Sequence, residues 1–208
     1  MKVGVIGAGS VGTALAKRLV PAGHEVMLSY ARDVEKLKQA ATRYRAKAGT
    51  PLEAVEFADV VALTVPWVGI DEALNACGSL AGKIVWDCTN ALKPDLSGLA
   101  IGTTTSGAEQ IAAKASGARI VKAIPPFAEL MHSADPTVGG KPVGVFMCGD
   151  DGEAKAVVRP LLEALPTDVV DAGGLERARF IEPAAFLLIP LGYSEGFGSR
   201  IGLNLLRL

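Results

Sequence analysis

The chain has 208 residues, half of them hydrophobic and 21% charged, and its formal net charge is −1 at pH 7. A chain of this length and apolar content folds as one domain, or as one domain with a small appendage, and is not disordered. The charge lacks the basic excess that binds nucleic acid or an anionic membrane, so a small anionic ligand requires a local site.

Short β-rich runs alternate with helical patterns along the chain, which predicts a doubly wound α/β sheet with right-handed crossovers. Strands are expected at residues 1–6, 24–29, 46–50, 59–65, 83–88, 119–124, 143–148 and 168–171. Helices are expected at 13–20, 33–47, 51–57, 69–80, 106–115 and 152–165. From Leu175 the pattern is helical to the end, with interruptions predicted at Pro183 and Pro190.

No segment is typical of export or membrane insertion. The most apolar stretch, 184–191, is too short to span a bilayer, and the charged Lys2 is followed by a predicted strand rather than by a signal peptide. The three cysteines, Cys77, Cys88 and Cys148, are odd in number and far apart, which argues against a disulfide framework. We expect a cytoplasmic protein.

A glycine-rich motif, Gly7-Ala8-Gly9-Ser10-Val11-Gly12, connects the first predicted strand to the first predicted helix. The spacing alone is a weak signal in a chain with 24 glycines, but the strand–turn–helix context is typical of dinucleotide binding. Gly7 would form the tight turn, Gly9 would let a pyrophosphate approach the backbone, and Gly12 would let helix and strand pack closely. The phosphates are expected at the free amides near Ser10 and Val11. The alternative is an ordinary glycine-rich loop.

The motif and the alternation together predict a Rossmann-type, mostly parallel fold. We expect residues 1–174 to form the NAD(P)-binding domain. Residues 175–208 would form a C-terminal helical segment that completes the same domain.

The end of the second strand bears on which dinucleotide is bound. NAD-preferring sites place a carboxylate there for the ribose hydroxyls, whereas this chain has Ser29-Tyr30-Ala31-Arg32. Arg32 can form charge-assisted bonds to a 2′-phosphate, so NADP is favoured over NAD. The alternative is that Arg32 is a solvated charge beside Asp33 and Glu35, with Asp33 acting as a helix cap.

Further candidate residues follow three other strands, because ligands bind beyond the carboxyl ends of strands in such sheets. The first group is Thr64-Val65-Pro66-Trp67, in which Trp67 forms either an apolar wall of the site or simple packing at a helix start. The second is Asp87-Cys88-Thr89-Asn90, in which Thr89 and Asn90 offer hydrogen bonds to a ring amide and Cys88 is expected to be inert core. The third is Ile124-Pro125.

No catalytic acid–base or nucleophile pair emerges from the sequence. Lys122 is expected to reach solvent from the sheet edge rather than to donate a proton, and His24 to lie at the surface. His132 is the one histidine expected near a pocket, and a structural role is favoured for it too. Asp150-Asp151 is interpreted as helix capping. No metal site is predicted, because histidines and cysteines do not occur at ligand spacing.

The chain resembles the NADPH-dependent reductases of coenzyme F420, an 8-hydroxy-5-deazaflavin, over essentially residues 1–208. The resemblance rests on the separated motifs quoted above, together with Gly23-His24-Glu25, Cys148-Gly149-Asp150-Asp151, Asp171-Ala172-Gly173 and the tail from Arg179 to Arg207. It implies a homodimer that binds NADP(H) along the glycine loop, with Arg32 at the 2′-phosphate. A deazaflavin would stack on the nicotinamide beside Trp67, Thr89, Ile124 and Pro125, and hydride would pass without a side-chain acid or base.

Two features depart from the family pattern. Pro125-Pro126 stands where many bacterial relatives have Asn-Thr, and Pro190 is expected to interrupt the last helix. Both lie near the expected second substrate. The alternatives are a reductase of flavins, metal ions or small imines, or an NADPH-binding protein without catalytic activity.

Overall fold

The computed structural model of the protein describes residues 1–30, 33–165 and 167–206. An eight-stranded sheet forms its centre, with the strand order β3-β2-β1-β4-β5-β6-β7-β8. All neighbouring strands are parallel except β6 and β7, which pair antiparallel. The strands are β1 (Lys2–Ile6), β2 (Glu25–Ser29), β3 (Lys47–Ala48), β4 (Val60–Leu63), β5 (Ile84–Asp87), β6 (Arg119–Ala123), β7 (Val143–Cys148) and β8 (Thr167–Asp171).

Helices cover both faces of this sheet, which confirms the predicted Rossmann-like α/β fold. They are α1 (Ser10–Leu19), α2 (Val34–Tyr44), α3 (Pro51–Phe57), α4 (Ile70–Cys77), α5 (Gly107–Lys114), α6 (Ala128–His132), α7 (Gly152–Glu163) and α8 (Ala178–Tyr193). Short 3₁₀ turns occupy Trp67–Gly69 and Leu175–Arg177. None of the helices in the described part of the chain is long and apolar enough to cross a membrane.

The predicted cap at Asp33 explains where α2 begins, whereas the end of α2 and the presence of α6 differ from the prediction. The carboxylate of Asp33 accepts hydrogen bonds from the amides of Glu35 and Lys36 at 3.0 and 3.1 Å, so α2 begins at Val34. This helix ends at Tyr44, earlier than predicted, because Arg45 adopts a left-handed conformation with φ of 56°. The five-residue helix α6 was not predicted, since it is too short to show a periodic pattern.

The carboxyl-terminal prediction was wrong in two respects. Helix α8 runs without a break from Ala178 to Tyr193 and contains both Pro183 and Pro190. Each proline removes one backbone donor, and the helix continues because its buried residues hold it on both sides of Pro183. Residues 194–206 are not helical, and Gly196 and Gly198 there have φ of 80° and 74°.

Two apolar layers hold the sheet between the helices. The layer formed with α1, α2 and α7 includes Leu15, Trp86 and Leu161, and the layer formed with α3, α4, α5 and α8 includes Leu63 and Ile111. The carboxyl ends of β1, β4, β5 and β6 meet at one edge, because these strands are parallel. The residues that follow these strands are therefore brought together.

Candidate functional site

The glycine loop between β1 and α1 is fixed by close backbone contacts. Gly7 has a φ of 118°, and its carbonyl accepts a hydrogen bond from Thr64 Oγ1 at 2.7 Å. A Cβ on Gly12 would lie 1.9 Å from the Gly7 carbonyl oxygen, whereas a Cβ on Gly9 would have no neighbouring atom within 4 Å. Gly12 thus serves packing, and Gly9 leaves open space above the loop.

The first amides of α1 lie beside that open space. The first helical hydrogen bond in the loop runs from Thr13 N to the Gly9 carbonyl at 3.0 Å. The amides of Ser10, Val11 and Gly12 precede it, so helix geometry leaves them without partners within the helix. An anion placed at this point would meet N–H groups and the positive end of the helix dipole.

The end of β2 differs from the expectation in part. The side chain of Ser29 is fully buried, and its Oγ donates to the Val5 carbonyl at 2.9 Å, so this hydroxyl supports the sheet. Tyr30 adopts a positive φ of 55° where the chain leaves the strand. Ala31 and Arg32, the residues predicted to meet a 2′-phosphate, lie outside the described residues.

A cavity of about 630 Å³ begins at the glycine loop and extends across the sheet edge to α8 and the chain's tail. It brings together most of the residues predicted to bind a cofactor or a second substrate. These are Gly9, Ser10, Val11, Thr64, Val65, Pro66, Trp67, Thr89, Asn90, Ile124 and Pro125. Gly7, Gly12, Ser29 and Tyr30 do not line the cavity, although Gly7 and Gly12 shape the loop that does.

Sequence reasoning missed the far wall of this cavity. Helix α8 contributes Ile181, Ala184, Ala185, Leu188 and Ile189, and the tail contributes Ile201 and Leu203. The spacing of the α8 residues, i, i+3, i+4, i+7 and i+8, is the pattern of one apolar helix face and was available in the sequence. The predicted breaks at the two prolines hid it.

A buried ionic cluster lies behind the cavity. Lys122 is fully buried, and its Nζ lies 2.9 Å from Asp87 Oδ2 and 3.2 Å from Glu182 Oε1. The prediction that Lys122 reaches solvent was therefore wrong. The physical reason is that β6 lies inside the sheet, in register with β5, so Lys122 stands directly beside Asp87.

The charge state of this lysine follows from its neighbours. Burial acts to lower the pKa of Lys122, and the carboxylates of Asp87 and Glu182 more than offset it, so its pKa is raised. Lys122 is therefore a cation at neutral pH. A buried cation is stable only where its charge and its hydrogen-bond donors are satisfied.

The loop after β5 presents an unpaired acceptor. The carboxylate of Asp87 accepts hydrogen bonds from Thr89 N at 2.9 Å and from Thr89 Oγ1 at 2.7 Å, as expected for a satisfied buried carboxylate. The side-chain Nδ2 of Asn90 donates to the Glu182 carbonyl at 3.2 Å. Asn90 Oδ1 is buried without a hydrogen-bond partner among the described residues. Asn90 lines the cavity, so this oxygen can accept a hydrogen bond from a ligand.

The described cavity lining contains four ionisable side chains, Cys88, Lys93, Glu129 and Tyr193. Burial raises the pKa of Cys88 well above its usual value, so it is a protonated thiol. Partial burial, together with a hydrogen bond of 3.0 Å to Glu129, raises the pKa of Tyr193 to about 12.

The other groups considered as candidates have structural partners. His132 does not line the cavity, and its Nε2 lies 3.1 Å from the Ser10 carbonyl oxygen, which agrees with a structural role. Asp151 caps α7 and pairs with Arg119. Within the described ranges, no group of three or more His, Cys, Asp or Glu side chains is arranged to hold a metal ion.

Residues 2–91 match the family model described as NADP oxidoreductase, coenzyme F420-dependent. The match begins with β1 and ends directly after Asn90, so it includes the glycine loop and omits α8. Across 191 residues the chain is 28% identical to metalloreductase STEAP3 of Rattus norvegicus. That similarity covers 91% of this chain and 37% of the rat protein, so the chain spans little more than a third of this curated relative's length.

Solved structures extend the similarity over the whole chain. A candidate F420-dependent NADP-reductase from Arthrobacter sp. FB24 superposes with a TM-score of 0.84 at 29% identity, covering 100% of both chains. The hypothetical protein SMa0349 from Sinorhizobium meliloti has a TM-score of 0.75 at 26% identity, covering 100% of this chain and 95% of its own. These findings support a Rossmann-like fold of the kind found in NADP-dependent oxidoreductases.

Proposed function

We propose that the protein transfers a hydride between NADPH and a deazaflavin of the coenzyme F420 type. The observation that carries the proposal is the continuous cavity of about 630 Å³ between the glycine loop and the apolar face of α8. Its volume lies in the range of sites that enclose organic ligands. One end of the cavity is suited to a diphosphate and the other to an uncharged ring.

The glycine-loop end has the features that a dinucleotide requires. Gly9 leaves the backbone open to a pyrophosphate, and the amides of Ser10 and Val11 would donate to its oxygens. At the nicotinamide end, the unpaired Oδ1 of Asn90 would accept a hydrogen bond from the carboxamide. We assign Arg32 to the 2′-phosphate on the sequence alone.

The far end is suited to a flat, largely apolar ring. Trp67, Ile124 and Pro125 line it from the sheet edge, and Leu188 lines it from α8. Pro125 and Pro126 have no amide hydrogen, so this wall would hold a ring by contact rather than by backbone donors. These side chains would position the ring and exclude water from the cavity.

This chemistry asks no side chain to carry a proton. When both are bound, the nicotinamide would supply the hydride and the deazaflavin would take it up together with one proton from solvent. The chain's residues then act by holding two rings in contact, which is a large catalytic contribution in itself. The protonated Cys88 and the hydrogen-bonded Tyr193 are compatible with this role.

The proposal is tested by following NADPH oxidation and deazaflavin reduction in the same cuvette. We expect turnover that requires the deazaflavin and prefers NADPH to NADH. Parallel reactions with FMN, a ferric chelate and a cyclic imine serve as comparisons. Turnover with one of these and none with the deazaflavin would assign a different substrate class. Tight NADPH binding without transfer to any acceptor would show a binding protein.

Arg32 is tested by Arg32→Asp, which replaces the cation with the carboxylate found at NAD-preferring sites. We expect NADPH affinity to fall about tenfold to a hundredfold, since a charge-assisted bond contributes roughly 1.5–3 kcal/mol. NADH affinity should stay the same or rise. An unchanged NADPH/NADH ratio would remove Arg32 from the site.

We also propose that the protein forms a homodimer through α8. Phe180 and Leu187 on this helix are 62% and 53% exposed, and Phe197 just beyond it is 67% exposed. Phe180 and Leu187 are seven residues apart and so lie on the same face of α8, and apolar patches on a protein surface mark interaction sites. Light scattering should give a dimeric mass for the wild type and a monomeric mass for Leu187→Glu with Phe180→Glu.

A further inference from the structure

The buried cluster of Lys122, Asp87 and Glu182 joins three parts of the fold. Lys122 lies on β6, Asp87 ends β5, and Glu182 lies on α8. The side chains are 0%, 0% and 3% exposed. Charges so deeply buried are stable only with close partners, so each bond of the cluster fixes the position of what it contacts.

All three donors of the Lys122 ammonium have acceptors within the cluster and its loop. Besides the two carboxylates, Nζ donates to the Thr89 carbonyl at 2.5 Å. Asp87 holds the same residue through its amide and its hydroxyl. Both the amide and the carbonyl of Thr89 are thereby held in place. Thr89 directly precedes Asn90.

Glu182 fixes the side-chain amide of Asn90. Its carboxylate accepts hydrogen bonds from the amides of Gly107 and Ala108 at 2.8 and 3.0 Å, which ties α8 to the start of α5. Its main-chain carbonyl accepts from Asn90 Nδ2. The amide of Asn90 therefore has its donor engaged and its Oδ1 left as an acceptor in the cavity wall.

We propose that Lys122 is a positioning residue, which holds Thr89 and Glu182 so that Asn90 Oδ1 stands ready for the nicotinamide carboxamide. The proposal rests on the proposed NADPH site. Lys122 itself contacts no ligand, because its three donors are occupied. It orients Asn90, and Asn90 recognises the ring.

Two ligands separate this role from a general contribution to folding. NADPH would contact both the glycine loop and Asn90, whereas 2′-phospho-ADP-ribose has the same phosphates without the nicotinamide. Lys122→Met removes the ammonium and keeps an unbranched side chain. We expect it to weaken NADPH binding about tenfold and to leave the affinity for 2′-phospho-ADP-ribose unchanged. Lys114→Met, which removes a surface lysine paired with Asp71, is the matched control and should change neither affinity.

A double-mutant cycle with Asn90→Ala provides the decisive readout. If Lys122 acts through Asn90, then Lys122→Met should cause no further loss of NADPH affinity once Asn90 is alanine. Additive losses, an equal loss for both ligands, or unchanged NADPH binding would each overturn the proposal. Wild-type protein that binds neither ligand would instead refute the NADPH site itself.

Glu182→Gln keeps the test valid if Lys122→Met does not fold. It leaves Lys122 and Asp87 as a balanced pair, so no buried charge is unpaired. We expect NADPH affinity to fall at least threefold with 2′-phospho-ADP-ribose binding unchanged, and the loss to vanish in the Asn90→Ala background. A Glu182→Gln protein with wild-type affinity for both ligands would overturn the proposal.

Discussion

The two ends of the cavity are formed by different kinds of atoms, main-chain atoms at one end and side-chain atoms at the other. The glycine-loop end is made of backbone atoms at close range, with Thr64 Oγ1 bonded to the Gly7 carbonyl and Gly12 packed against the same oxygen. The far end is made of apolar side chains from α8 and the tail. The family match covers the first end and stops before α8 and the tail.

The two ends therefore differ in how freely their residues can be exchanged. Where backbone packs against backbone, no side chain can be exchanged to make room. A single carbon added at Gly12 must therefore displace the main chain. A wall of Leu, Ile and Ala tolerates exchanges of similar volume. We infer that the glycine-loop end restricts which cofactor the fold can bind. We also infer that the far end decides which second substrate is accepted.

The largest effect is expected from Gly12→Ala, which tests the backbone-built end directly. The new Cβ would lie 1.9 Å from the Gly7 carbonyl oxygen and 3.0 Å from Thr64 Oγ1. Overpacking of this kind costs about 3 kcal/mol or more when backbone must move. Urea unfolding measures the loss. Gly152→Ala, at a helical glycine with open space around it, is the control and should stay within about 0.5 kcal/mol.

Gly9→Ala should separate binding from folding at the same loop. No atom lies within 4 Å of its Cβ position, so the free energy of unfolding should change by about 1 kcal/mol or less. The methyl group would occupy the space left for the pyrophosphate, and NADPH affinity should fall about tenfold to a hundredfold. Fluorescence titration with NADPH measures it. Normal affinity would show that the phosphates lie elsewhere.

Gly144→Ala tests the side-chain-built end. Its Cβ would lie 2.3 Å from the Leu203 carbonyl oxygen, so the tail would have to move away from β7. We expect the KM for the second substrate to rise about threefold to tenfold, roughly 1 kcal/mol, while the Kd for NADPH stays unchanged. Equal effects on both ligands would contradict a division of labour between the two ends.

Much of the glycine-loop end and of the adjoining sheet edge was predictable from the sequence. Parallel strands bring their carboxyl ends to one edge, so Thr64, Trp67 and Asn90 could be grouped without any structure. The glycine spacing gave the turn and the helix start. These features depend on local sequence and on one topological rule.

The apolar face of α8 has a readable spacing, but the predicted breaks at Pro183 and Pro190 obscured it, and the buried cluster was not predictable from local sequence. Asn90 and Glu182 are 92 residues apart, and nothing local to either residue indicates their contact. Lys122 was misassigned because a lysine near the end of a strand usually reaches solvent, and only the pairing of β6 with β5 places it beside Asp87. The role assigned to Arg32 stays a prediction, as does the division into residues 1–174 and 175–208.

The smallest expected effect is a difference of zero between two buried thiols, one in the amino-terminal half of the chain and one in the carboxyl-terminal half. Cys77 on α4 and Cys148 at the end of β7 are both fully buried. Burial raises the pKa of Cys77 to about 11 and of Cys148 to about 12, whereas an unfolded thiol titrates near about 8.5. At pH 8 both thiols are therefore protonated and protected in the folded protein, and each reacts once it is exposed.

If the two halves of the chain form one cooperative unit, both thiols become labelled at the same urea concentration, as mass spectrometry of the labelled peptides will show. Labelling of Cys148 at lower urea than Cys77 would instead show that the carboxyl-terminal half opens by itself.

The pH dependence of the folded protein's stability has a fixed sign. Between about pH 8.5 and 11 the unfolded chain releases thiol protons that the folded chain keeps, so stability falls as pH rises through this range. Substituting Cys77→Ala should reduce that slope, and the two halves of the chain should still unfold together.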